Sequence, residues 1–265
     1  MTKEEKRAKK ENRKRAYKLM TTAGDQGFKD FFRNFQKYLG IILVMYVSML
    51  IYIVISAPSG DCCFGLAFGL APLVFASWCD MAFYASCGYR VIHRQSLSSW
   101  RAFTTNIKSL FKFCILLAVI KIIQSVGLAL FVIPGLVAAV YLVFAEIIFV
   151  VEKAGIDTSL NQSVRIARQY PDLFGITIVA YLPVGLISVW LKVFDLIPID
   201  NEWLNLAIIL ISFFVMISAY FLGHSIMIHV YEALRNYSGA ALANEAAAAK
   251  PLAPPAIANK PITPK

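Results

Sequence analysis

The sequence predicts an all-α polytopic membrane protein, with six transmembrane helices in three hairpins, each hairpin preceded by an amphipathic interfacial helix. Three observations carry this expectation. Of 265 residues, 58% are hydrophobic and only 16% are charged, whereas soluble proteins are typically about a quarter charged. Apolar runs of span length recur along the chain. The central run, Phe113 to Val151, is about twice as long as one crossing requires and is interrupted by Ile133, Pro134 and Gly135, so it reads as a hairpin turning there.

The formal net charge is +10, but 12 of the 26 Lys and Arg residues lie before Leu39, in one tail. No zinc-binding or aromatic reading motif accompanies them, so the sequence does not predict nucleic-acid binding. A basic segment beside a first span sets topology and meets anionic lipid headgroups. The first apolar run begins only at Leu39, after a long charged stretch, which is wrong for a cleaved signal peptide. The cysteines (Cys62, Cys63, Cys79, Cys87, Cys114) have no metal-ligand spacing, and four of them lie in or at the ends of apolar runs, as buried thiols do.

The chain divides into a basic cytoplasmic tail (1–27), a membrane domain (28–237) and an Ala/Pro-rich tail (238–265) expected to be disordered. Within the first segment, Met1 to about Lys18 has the composition of a solvated helix or a disordered stretch. Phe28, Phe31, Phe32 and Phe35 follow at i, i+3, i+4 and i+7 with charges between them, which predicts an amphipathic helix lying in the interface. Leu39 to Ala57 is the first span, and Pro58 to Asp61 make a turn. The second span, Cys62 to about Cys87, carries Gly65 and Gly69 at the small-xxx-small spacing that lets helices approach, a kink-forming Pro72, and Asp80 near its far end.

Tyr89 to Lys112 is a basic connection without an acidic residue. In it, Ser96 is the expected cap of a second interfacial helix, with Trp100 at the level of the aromatic belt. The central hairpin comes next. In the polar segment Glu152 to Asp172, the expected caps are Asp157, Thr158 or Ser159, and the apolar edge is Ile156, Leu160, Val164 and Ala167. Leu173 to Phe194 is the fifth span, bent at Pro183, and Leu204 to about Val230 is the sixth. Arg33, Phe35 and Gly40 in the first unit repeat the spacing of Arg168, Tyr170 and Gly175 in the third, a trace of internal repetition.

With both termini in the cytoplasm, the basic tail, the Arg90 to Lys112 connection, Arg165 and Arg168 share one side. Asp61, the Pro134 turn and the acidic loop Asp195 to Glu202 share the other, in agreement with the positive-inside rule.

Two charges interrupt the central hairpin. At ~1.5 Å per residue, Lys121 lies about 20 Å below the turn and Glu146 about 18 Å, so they are expected to meet, with Gln124 on the face of Lys121. A charge at the bilayer centre costs about 2.5–3.5 kcal/mol on insertion scales. Two explanations stay open: a structural pair fixing the hairpin's register, or an ion, proton or substrate site. Asp80 is expected near the cytoplasmic surface, paired with Lys112 or Arg90. His224 is expected to be a hydrogen-bonded residue facing the bundle, with Tyr220 one turn earlier. His229 is turned about 140° away from it, so the two histidines make no metal pair. No soluble catalytic signature is present in the sequence, and no catalytic residue, metal site or cofactor is predicted.

Ile133, Pro134, Gly135, Tyr141, Phe144, Ala145, the Val150 to Gly155 run and Ser163 form a pattern that resembles bacterial six-span proteins related to the membrane domain attached to some glycerophosphodiester phosphodiesterases. The resemblance implies six helices in a bacterial cytoplasmic membrane and no established activity. The phosphodiesterase chemistry belongs to a separate soluble barrel without a counterpart in this sequence. Glu146 departs from the pattern, which has an apolar or small residue there. The function expected is that of a non-enzymatic component binding membrane lipids, anionic headgroups or a membrane-protein partner. The alternatives are a small transporter using Lys121 and Glu146, or an intramembrane lipid-modifying enzyme.

Overall fold

The computed structural model describes residues 2–56, 62–130, 132–194 and 202–248, with the backbone alone described at 52–56, 62–73 and 238–248 among others. The described residues form helices α1 (Lys3–Arg33), α2 (Phe35–Ser56), α3 (Cys62–Ile92), α4 (Ser99–Thr105), α5 (Leu110–Leu130), α6 (Val132–Leu142), α7 (Ala145–Val151), α8 (Ile156–Gln169), α9 (Leu173–Phe194) and α10 (Glu202–Ala248). Among them, Trp100–Gly127, Ile133–Val151, Leu173–Val193 and Trp203–Tyr237 are long and apolar enough to cross a bilayer. The pair α1 and α2, bent by 78°, supplies a fifth candidate. The chain is thus an all-α polytopic membrane protein, with four to five long apolar helices among the described residues.

The N-terminal segment is one helix through to Arg33 and does not end as a loose tail. A capping box starts it: the Thr2 hydroxyl accepts from the Glu5 amide (3.2 Å) and the Glu5 carboxylate from the Thr2 amide (2.7 Å). Ala16, Met20, Ala23 and Phe31 make a buried stripe along the side that packs on α10. Gly27 permits the closest approach, because a β-carbon there would come within 2.7 Å of the Ile226 Cα. The helix ends at Asn34, whose side-chain amide donates back to the Asp30 carbonyl (3.0 Å) and carboxylate (2.9 Å). The bend divides the predicted aromatic face. Phe28 (47% exposed) and Phe32 (56%) look outward, while Phe31 is buried, stacks on Tyr38 and meets Phe35 edge-on.

Two caps differ from expectation. Ser98, and not Ser96, caps α4 by accepting from the Arg101 amide (3.4 Å), and Trp78 of α3 holds that helix by donating to the Phe103 carbonyl (2.9 Å). Helix α8 begins at Gly155, which has no side chain to cap it. Its buried face is Ser159, Ser163 and Ala167, whereas Ile156, Leu160 and Val164 are only half-buried. Small residues win that face because α8 seats against the broken second arm of the central hairpin.

That arm parts into α6 and α7 at Val143 and Phe144. The Ser163 hydroxyl bridges the break, donating to the Tyr141 carbonyl (2.7 Å) and accepting from the Phe144 amide (3.1 Å). Buried backbone groups freed by a helix break need such partners. At the hairpin's tip, Pro134 stands in the first turn of α6, where a missing N–H is harmless. Gly127 and Gly135 let the arms touch, since a β-carbon on Gly127 would lie 2.9 Å from the Gly135 Cα. Helix α9 continues through Pro183.

Helix α10 is helical through Ala248, beyond Ser238 where disorder was expected; its Ala-rich end favours the helix. Gly65, Gly69 and Pro72 fall within α3 where only the backbone is described, so their expected packing and kink lie outside the described side chains. The turn 58–61 and most of the loop 195–202 also lie outside the described residues. The core forms where α3, α7 and α10 meet, around Phe83, Tyr84, Ile147, Ile148 and Phe221.

Candidate functional site

Six polar side chains from four helices converge inside this apolar core. Asp80 and Tyr84 stand one turn apart on α3, as Tyr220 and His224 do on α10, so each pair shares a helix face. Glu146 enters from the first turn of α7 and Tyr181 from α9. Gly223 brings α9 close: a β-carbon there would lie 2.8 Å from the Tyr181 ring.

The hydroxyl of Tyr84 donates to Glu146 Oε2 at 2.7 Å, and that of Tyr220 donates to Asp80 Oδ2 at 3.3 Å. His224 Nδ1 lies 2.9 Å from the Tyr181 hydroxyl and 3.1 Å from the Tyr220 carbonyl. Its Nε2 faces Glu146 Oε2 at 3.9 Å, beyond a hydrogen bond. The Tyr84 and Tyr220 rings flank the imidazole with centroids 5.0 and 4.1 Å away. Asp80 is 6% exposed and His224 3%, yet Asp80 Oδ1 and His224 Nε2 have no hydrogen-bond partner among the described residues.

Two carboxylates, an imidazole and three phenols in one apolar interior can take up or release a proton, or hold a small solute that hydrogen-bonds to the two open positions, Asp80 Oδ1 and His224 Nε2. No group of three or more His, Cys, Asp or Glu able to hold a metal ion occurs among the described residues. The chain matches no protein-family model, no curated protein and no solved structure.

The expected pairing of Lys121 with Glu146 is not formed. Lys121 is exposed on α5, while Glu146 takes its hydrogen bond from Tyr84. Gln124 is half-buried on the same helix. Asp80 is deep in the core and not at the surface, and Arg90, its expected partner, instead bonds Asp30 and the Tyr38 hydroxyl. Around Arg90, at the basic end of the bundle, His229 Nε2 lies 3.7 Å from Asp30, Glu152 accepts from Tyr231 (2.6 Å) and Arg235 (3.1 Å), and Arg94 pairs with Glu232 (2.9 Å). Trp100 on α4 is 75% exposed.

Tyr84 and Tyr181 are the members that sequence reasoning missed. Tyr84 carried a signal, standing four residues after Asp80. Tyr181 carried none, since only the folding of α9 against α10 aims it at His224.

Proposed function

We propose that the protein is a small transporter of a bacterial cytoplasmic membrane that binds a proton or a small hydrogen-bonding solute at the cluster of Asp80, Glu146 and His224. One observation carries this reading: two carboxylates and an imidazole from α3, α7 and α10 are sunk in an apolar interior with two polar atoms unpartnered. A cluster kept for stability alone would be costly and would be expected to satisfy its members. The full arrangement in this reading is six spans in three hairpins with both termini cytoplasmic, which the positive-inside rule supports. Membrane-impermeant labelling of single cysteines at Ser59 and Asn201 tests it, both being expected to react from outside.

The functional test is reconstitution into liposomes with a trapped pH dye under an imposed proton gradient, with separate pools of amino acids, sugars and organic cations added. Proton flux that depends on one pool and is lost in Glu146→Gln and Asp80→Asn is the expected result. Absence of flux with every pool, or full flux in Glu146→Gln, overturns the proposal.

A second reading, a non-enzymatic lipid-binding component, is favoured by Phe28 and Phe32, whose exposed rings lie 4.9 Å apart on α1. Such a pair beside basic residues suits an interface. Unchanged lipid co-purification after replacing both by Ser would count against it.

A further inference from the structure

The two ring nitrogens of His224 meet different surroundings. Nδ1 lies 3.1 Å from the Tyr220 carbonyl, one turn earlier on α10, and 2.9 Å from the Tyr181 hydroxyl of α9. A carbonyl oxygen can only accept, so a bare Nδ1 would set two lone pairs against each other, whereas an Nδ1–H donates to it. The hydroxyl accepts as readily as it donates and is compatible with that choice. A neutral ring with its hydrogen on Nδ1 carries a lone pair on Nε2. That atom has no hydrogen-bond partner among the described residues. It faces Glu146 Oε2 at 3.9 Å, and this oxygen accepts from the Tyr84 hydroxyl at 2.7 Å.

Two acceptors thus face each other with no donor between them. The imidazole is held in this attitude by the Tyr84 and Tyr220 rings, with centroids 5.0 and 4.1 Å away, and by the Tyr181 ring, edge-on at 5.5 Å. The titratable groups around it are Asp80 and Tyr84 on α3, Glu146 on α7, Tyr181 on α9 and Tyr220 on α10 itself, with Lys121 exposed on α5. Asp80 takes its hydrogen bond from Tyr220 and has no facing nitrogen of this kind. Nε2 is enclosed, which leaves no room for a solute at that atom. A proton needs no room beyond the two lone pairs.

We propose that His224 Nε2 and Glu146 Oε2 bind one proton between them, and that the Tyr220 carbonyl keeps Nε2 free to receive it by holding the ring hydrogen at Nδ1. This rests on the transporter reading above and narrows the ligand of this pair to a proton. Uptake from water turns a carboxylate and a neutral imidazole, together a single negative charge, into a neutral hydrogen-bonded pair, and no other bond forms or breaks. The bond so made is about 1 Å shorter than the present gap, so uptake draws Glu146 and the start of α7 toward α10.

The test is solid-state NMR of the full-length protein in lipid vesicles, isotope-labelled in its histidine ring nitrogens and glutamate carboxyls and titrated with acid. The His224 signals are those that remain in the His93→Gln/His229→Gln variant, whose substituted residues bond the Val151 and Ser225 carbonyls and not this pair. The Glu146 signal is the one missing in Glu146→Gln. Before acid is added, Nδ1 is expected to carry hydrogen and Nε2 to be bare. On acidification, Nε2 and the Glu146 carboxyl are expected to change in one common step while Nδ1 keeps its hydrogen. Hydrogen on Nε2 of the neutral ring, separate steps at the two residues, or no step at either overturns the proposal. The transporter reading answers to liposome flux instead. Flux without the common step removes this proton site and leaves transport standing, whereas the common step without flux keeps the proton site and removes transport.

Discussion

The Tyr84 hydroxyl donates to Glu146 Oε2 across 2.7 Å, joining α3 to α7 inside the bundle. Removing it with Tyr84→Phe leaves a buried carboxylate without its hydrogen-bond donor, a loss of about 1–3 kcal/mol. In a double-mutant cycle read by thermal unfolding in mild detergent, Tyr84 and Glu146 are expected to couple by at least about 1 kcal/mol. Lys121 and Glu146, which are not in contact, are expected to couple by less than about 0.5 kcal/mol. The reverse order would place the ion pair of the central hairpin back at the heart of the site.

Gly24 and Gly27 supply a matched comparison on one helix. A β-carbon on Gly27 would strike the Ile226 Cα at 2.7 Å and the Ser225 carbonyl at 3.0 Å, both backbone atoms that cannot turn aside. One on Gly24 would meet only the Ile226 Cγ2 at 3.7 Å, an ordinary contact. Gly27→Ala is therefore expected to destabilise by about 1–3 kcal/mol, and Gly24→Ala to be neutral or stabilising through helix propensity. Equal unfolding midpoints for the two variants would show that α1 does not seat on α10.

Ser163→Ala deletes the hydroxyl that serves both ends of the break between α6 and α7. Each buried backbone group left unpaired costs about 1–3 kcal/mol. The expected result is lower thermal stability together with faster hydrogen exchange at the Phe144 amide.

The Arg13 guanidinium beside Asp172, with bonds of 2.7 and 2.5 Å, holds that carboxyl below the usual aspartate range. A depressed folded value means the ion pair contributes fully above the ordinary aspartate pKa of about 4 and is lost as pH falls through the lower, folded value. Wild type and Arg13→Gln are expected to differ slightly in unfolding midpoint at pH 7. That difference should shrink below about pH 4, and at high salt, because the pair is exposed. A difference independent of pH would remove Asp172 as its cause.

The apolar runs made the spans after the first pair legible, because length and hydropathy suffice for that. The Pro134 turn was legible for the same reason as any Pro-Gly break. Partners were less so. A count of residues from the turn treats the second arm as one helix, but the arm stops at Leu142 and restarts at Ala145, which resets the direction its residues face. Glu146 points instead to Tyr84 and His224. Asp80 was placed by counting residues from the turn, which gives depth but not direction. The face of α8 is not set by bulk: Ser159 and Ser163 are fully enclosed, Ser163 because the break behind it needs a hydroxyl, while the Ser159 hydroxyl turns back to the Gly155 carbonyl of its own helix.

Ser225 donates to the Gly27 carbonyl from 198 residues further along the chain, and this separation sets an order of events at birth. The inner stripe of α1 is made first, and its seat on α10 is made among the last. At ~5–20 residues per second of synthesis, the stripe waits roughly 10–40 s for its partner. Throughout that interval Met20 and Ala23 rest against something other than their final neighbour. The protein closes on itself only once α10 has been made, and a chain stopped short of α10 would leave its own beginning unhoused.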